Sequence, residues 1–134
     1  MAAITRVEDI EVWQEARKLA ADVYRLTSAG AWARDFGLRD QIRRASVSVA
    51  CNIAEGYSRG SNVEFKRFLA IARGSATEVK TQLYIALDIG YIDQGSFDNL
   101  SSRMDRLGRM ITTFMQYLKT AQKPTTNNQQ QTTS

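Results

Sequence analysis

Placed at 100° steps, the apolar residues of this chain gather into four long stripes, and each stripe predicts a helix. The first spans about Asp9 to Ser28. Trp13, Ala16, Ala20, Val23 and Tyr24 share one side, flanked by Val12, Leu19 and Leu26, with Glu11, Glu15, Lys18, Asp22 and Arg25 opposite. The segment GAWARDFG reads as a link, because it carries two glycines. The second helix runs from about Leu38 to Gly56. Ser46-Val47-Ser48-Val49 alternates like a strand, but Leu38, Ile42, Ala45, Val49 and Ile53 recur at helical spacing over a longer window.

The loop GYSRGSN follows, and Ser61 with Glu64 has capping-box spacing, so a third helix is expected over 61–89. Its stripe is Phe65, Phe68, Leu69, Ala72, Ala76, Val79, Leu83, Ala86 and Leu87. After Gly90, Ser96 is the expected cap of a fourth helix over 96–122, with Phe97, Leu100, Met104, Leu107, Ile111, Phe114, Leu118 and Ala121 forming a heptad seam. Four helices joined by short links predict an all-α, antiparallel up-down-up-down bundle over residues 1–122. The polar tail 123–134 has no large apolar residue and is expected to be disordered.

The second helix has more apolar surface than one bundle uses. Val47, Ala50, Cys51 and Ala54 lie beside its core stripe, and Ile71, Ile85 and Ile89 lie outside the stripe of the third. Contiguous apolar residues are rarely left in water, so these positions, with Arg43, are the candidate surface of a homo-oligomer. Arg43 is expected to pair with a carboxylate, Asp40 or one from a neighbouring copy.

Composition narrows the chemistry. The 134 residues include no histidine and one cysteine, Cys51. Histidine-based nucleophile pairs, imidazole metal ligands, an intrachain disulfide and a thiolate cluster are therefore all excluded. No catalytic, cofactor-binding or metal-binding residue is predicted, and a non-enzymatic protein is expected. The run Ala45–Ala54 is the longest uncharged stretch of the body and too short to cross a bilayer. MAAITRVED lacks the pattern of a secretory signal, so a soluble cytoplasmic protein is expected, with no membrane partner.

The charge balance is 18 basic against 14 acidic residues, a net +4 spread along the chain. Lys66, Arg73 and Lys80 recur every seven residues, about 10 Å apart, and Tyr84 follows one turn later. This row, together with Arg44, is the candidate nucleic-acid-binding set: cations for phosphates and a ring for a base. Its alternative is a solvated polar face. Arg103, Arg106 and Arg109 are expected on the solvated outer side of the last helix, with Asp105 pairing to Arg109. Cys51 reads as a small hydrophobe. Asn52, Glu55 and Gly56 read as a structural motif, with Gly56 capping the helix and Glu55 clamping the following loop.

The segments QIRRA (41–45) and NIAEG (52–56), the opening VEDIEVWQEARKLA with Val12, Trp13 and Ala16, and Phe65 with Phe68-Leu69 carry a further signal. Over roughly residues 7–120 the chain resembles a bacterial four-helix-bundle family. That family is known from open reading frames in intervening sequences of large-subunit ribosomal RNA genes and is often labelled ribosomal-protein-like. Its relatives include the accessory variability determinant of diversity-generating retroelements. The resemblance implies a homopentameric, barrel-like assembly without enzymatic activity. It also implies RNA, DNA or a nucleic-acid enzyme as a possible partner beyond self-association. The family commonly has proline before the Ala-Asn-Ile-Ala-Glu-Gly run, where this chain has Val49-Ala50-Cys51. The expected function is a homo-oligomeric helical-bundle adaptor, its rival a purely structural interaction module without nucleic-acid affinity.

Overall fold

The computed structural model describes residues 4–122. A single 3-10 turn, Val7–Asp9, precedes helices α1 (Glu11–Leu26), α2 (Gly30–Arg34), α3 (Phe36–Ser58), α4 (Asn62–Asp88) and α5 (Gln94–Gln122). The fold is all-α: four long helices and one short one, with no strand among the described residues. The expected disordered tail, 123–134, lies outside them.

The helix starts follow local side-chain chemistry. Asp35 accepts a hydrogen bond from the Leu38 backbone N–H at 3.1 Å and starts α3. Ser61 accepts from Glu64 N–H at 3.1 Å and starts α4, as its spacing predicts. For α5 the cap is not Ser96 but Asp93, whose carboxylate accepts from the Ser96 N–H at 2.7 Å. An aspartate three residues before a free N–H out-competes a serine already inside the first turn.

The expected link GAWARDFG holds the short helix α2, and its Trp32 is only 1% exposed. Trp32 closes one end of the core beside Tyr91, ring centroids 6.0 Å apart. The Tyr91 hydroxyl donates to Asp35 at 2.9 Å, tying the α2–α3 junction to the α4–α5 link. One apolar cluster runs through all the long helices. α3 packs most extensively against α4 and α4 against α5, while α1 lies against α3 and α5.

The predicted stripes of α3, α4 and, as far as Leu118, α5 are the buried ones, with Leu38, Leu87 and Phe114 partly covered; the side chain of Ala121 lies outside the described ones. On α1 the buried line is Val12, Ala16, Leu19 and Val23. Trp13 is half-buried and Tyr24 exposed, so the core side of α1 is rotated from the expected one. α3 runs unbroken through Val49-Ala50-Cys51. Gly56 does not cap α3, which continues to Ser58. It is buried inside the helix, where an added Cβ would stand 2.7 Å from Phe68 Cβ and 3.0 Å from Phe65 Cδ1. The glycine is required by close approach, not by backbone conformation; the left-handed residue after the helix is Gly60, φ 81°. Among the described residues no helix is long and apolar enough to cross a membrane.

Candidate functional site

Each flank of α4 carries a different chemistry. Towards α3, Ser48 and Ser75 hydroxyls meet at 3.0 Å, and the Asn52 amide donates to both the carbonyl and the hydroxyl of Ser48 at 2.9 Å. Asn52 is thus a structural bond-maker beside a helix–helix contact. Towards α5, Arg73 donates to the Thr112 hydroxyl at 3.0 Å and Lys80 to the Asp105 carboxylate at 2.7 Å. Since Ser75 and Arg73 are two residues apart, about 200° around the helix, the two flanks face away from each other.

The row Lys66, Arg73, Lys80 therefore lies along the α4–α5 seam. Lys66 has no ion pair or hydrogen bond with a described residue, whereas Lys80 is held by Asp105. That bond raises the Lys80 ammonium above its ordinary value of 10.5. Tyr84 is half exposed, and its ring meets Phe97 edge-on at 4.7 Å. Arg44 is not part of this group: it stands exposed on α3. Between α4 and α5 runs an open groove of about 510 Å³, lined by Arg73, Thr77, Lys80, Asp105, Arg109 and Thr112, among others.

The arginines of α5 separate. Asp105 pairs with Lys80 across the seam and not with Arg109, which is left exposed on the groove. Arg103 and Arg106 are not simply solvated; they reach Asp22 at 2.9 Å and Glu15 at 3.7 Å on α1. A second groove of about 520 Å³ lies there, between Trp13, Asp22, Arg25 and Arg103. Of its cations, Lys18, Arg25 and Arg103 have carboxylates beside them, and Arg17 lies over the Trp13 ring. Arg109 was the residue most easily missed from sequence, because a carboxylate four residues before it supplies an apparent partner.

Arg43 also finds a different partner from the expected carboxylate. Its guanidinium donates to the Thr27 hydroxyl at 2.8 Å and the Ser28 hydroxyl at 3.1 Å, and stacks 4.5 Å over Tyr24. It closes the C-terminal end of α1, where a cation is favourable. Asp40 pairs instead with Arg39 at 2.9 Å. Glu55 is half exposed and bonded to Arg59 at 2.9 Å; Arg59 in turn lies 4.8 Å over Phe68 of α4. This links the helix end to α4 through an arginine.

The remaining candidate interface residues stay on the surface of the single chain. Val47, Ile71, Ile85 and Ile89 are 37%, 42%, 45% and 51% exposed, Cys51 is exposed, and Ala50 and Ala54 are half-buried. Among the described residues no group of histidine, cysteine or carboxylates could hold a metal ion.

The model of the 23S rRNA-intervening sequence protein family matches residues 8–113. No curated protein matches. Among solved structures, a protein of unknown function from the S23 ribosomal protein family of Bacteroides thetaiotaomicron is similar in fold. Its TM-score is 0.71 at 20% identity, over 78% of this chain and 97% of that one.

Proposed function

This chain belongs to the 23S rRNA-intervening sequence protein family, and we propose that it acts as a non-enzymatic, self-assembling helical adaptor whose partner is nucleic acid or a protein that handles it. Within this reading the helices alternate up and down. Pairs of contacts along each seam support it, since they run in opposite senses on the two helices: Ser48 meets Ser75 but Gly56 meets Phe68, Lys80 meets Asp105 but Arg73 meets Thr112, and Asp22 meets Arg103 but Glu15 meets Arg106. The assembly contains five copies, by the family resemblance, and works in the cytoplasm.

The observation that carries self-assembly is the line of apolar residues that the single chain leaves in water. Val47 on α3, Ile71 and Ile85 on α4 and Ile89 at the C-terminal cap of α4 are β-branched side chains, all more than a third exposed. Burying such surface stabilises by about 25 cal/mol per Å², so a second copy gains by covering it. Light scattering coupled to gel filtration tests this. The expected mass is a multiple of 15.1 kDa, reduced to a single chain by Ile71→Glu with Ile85→Glu. Wild-type protein running as one 15.1 kDa particle at high concentration would overturn the reading.

A second reading, an interaction module without nucleic-acid affinity, has one observation in its favour: Lys80, a third of the candidate row, is neutralised by Asp105. Filter binding against RNA and DNA over a salt series separates the two. Phosphate contacts weaken steeply with salt; absence of binding at moderate ionic strength selects the second reading.

A further inference from the structure

We propose that the α4–α5 groove is a track for one single-stranded nucleic acid, with a second bank of cations on α5, Arg109 and Lys119, facing the row on α4. The proposal rests on the nucleic-acid reading above and gives it a place and a strand type.

The register comes from two contacts. Lys80 meets Asp105, and Arg73 meets Thr112: seven residues back along α4 correspond to seven residues forward along α5. One further heptad brings Lys66 level with Lys119. The three levels differ in charge. At Lys80 the ammonium is balanced by a carboxylate. At Arg73 the only partner among the described residues is a hydroxyl, so the charge stays. At Lys66 a second cation lies opposite, and neither lysine has an ion pair with a described residue. Arg109 lines the groove between the first two levels, beside the hydroxyls of Thr77 and Thr113.

Lys66, Arg73, Lys80, Arg109 and Lys119 against Asp105 carry +4, and the rest of the chain holds thirteen basic and thirteen acidic residues. A net charge of +4 thus stands along a seam about 21 Å long, at 1.5 Å per residue from Lys66 to Lys80, and the groove occupies its Arg73–Lys80 part. A polyanion is the ligand that a line of unbalanced cations selects. The groove's form selects the strand type. Packed helices are about 8–10 Å apart on their axes, so the cleft between them admits an extended chain. A duplex is a stiff rod and reaches only the rims. At the neutral end, Tyr84 presents a half-exposed ring for stacking, a contact that needs an unpaired base.

The test is fluorescence anisotropy of labelled oligouridylate and oligothymidylate, each of about fifteen nucleotides, titrated with the full chain at salt between about 50 and 200 mM. Four cations without an ion pair among the described residues predict a slope of log affinity on log salt of about −2.8, a weakening of about 50-fold over that range. Arg109→Gln with Lys119→Gln should reduce the slope to about −1.4. Asp105→Asn frees Lys80 and should steepen it to about −3.5. Arg17→Gln with Arg34→Gln, two exposed cations elsewhere, and Glu78→Gln, an exposed carboxylate on another side of α4, should leave it unchanged. Light scattering and melting curves verify that every variant keeps its assembly and fold.

Equal losses from the Arg17/Arg34 pair and the Arg109/Lys119 pair would overturn the groove while leaving nucleic-acid binding in place. A duplex of the same length binding as tightly as the strand would overturn the strand type. No binding of either oligonucleotide at low salt would overturn the groove and the nucleic-acid reading together. A preference between uridylate and thymidylate distinguishes RNA from DNA within the same track.

Discussion

The two seams of α4 hold the same helix by different means. Against α3 the contact is close and made by small groups: Gly56 lies under Phe65 and Phe68, and Ser48 bonds Ser75. Against α5 the seam is open at the surface, and long side chains, Arg73 and Lys80, lean across it to Thr112 and Asp105. The first seam depends on shape and the second on charge. A substitution that adds volume should therefore damage one and be tolerated by the other.

Two glycines make that difference measurable. Gly56 has no room for a side chain, since its added Cβ would collide with the Cβ of Phe68, an atom that cannot swing away. Gly56→Val should destabilise the fold by about 2–3 kcal/mol, through overpacking. Thermal unfolding followed by circular dichroism reads this as a fall of roughly 10 °C or more for a chain of this size. A variant that melts like wild type would remove the shape-based account of the α3–α4 seam.

Gly108 lies inside α5 on the floor of the other groove, and an added Cβ there meets nothing within 4 Å. Glycine in a helix interior costs about 0.5–1 kcal/mol relative to alanine. Gly108→Ala should therefore raise the melting temperature by a few degrees and leave the salt slope of nucleic-acid binding intact. Loss of stability at this position would mean that the α4–α5 seam is as tightly closed as its counterpart.

The same contrast explains what the sequence makes legible. The apolar stripes of α3, α4 and α5 are visible because a helical period repeats over many turns, and every buried large apolar or alanine side chain described on these helices is one the stripes name. Trp32 escapes because a five-residue helix is too short to show a period, and its flanking glycines resemble a loop. Gly56 resembles a cap because a glycine near a helix end and a glycine under two phenylalanines look alike along the chain. Arg43 and Asp105 have neighbours of suitable charge at short sequence distance, yet bond instead across helices, to Thr27 and Lys80. Helical spacing shows which residues share a side. It does not show which helix lies opposite, and only that register gathers an excess charge scattered over the sequence along one seam.

Protons should distinguish the seams by the smallest effect. The α3–α4 bonds among Ser48, Ser75 and Asn52 contain no titrating group, whereas the α4–α5 seam contains Lys80 and Asp105. Lys80 is raised above 10.5 by its hydrogen bond to Asp105. Its contribution is therefore fully present below that value and is lost as pH rises through the raised folded value. Tyr91 is raised above 10.0, first by its bond to Asp35 and then by burial, and acts in the same direction. On the acid side Asp35 is held below 3.8, chiefly by the Leu38 N–H and then by Tyr91, and Asp93 by the Ser96 N–H. Their contributions are present above 3.8 and disappear as pH falls through the lowered folded values. Melting temperature followed against pH should thus decline at both extremes. Asp105→Asn should flatten only the alkaline decline, and Tyr91→Phe should flatten both. Ser75→Ala should shift the whole curve without changing its form, and a change of form in that variant would show that charge reaches the α3 seam as well.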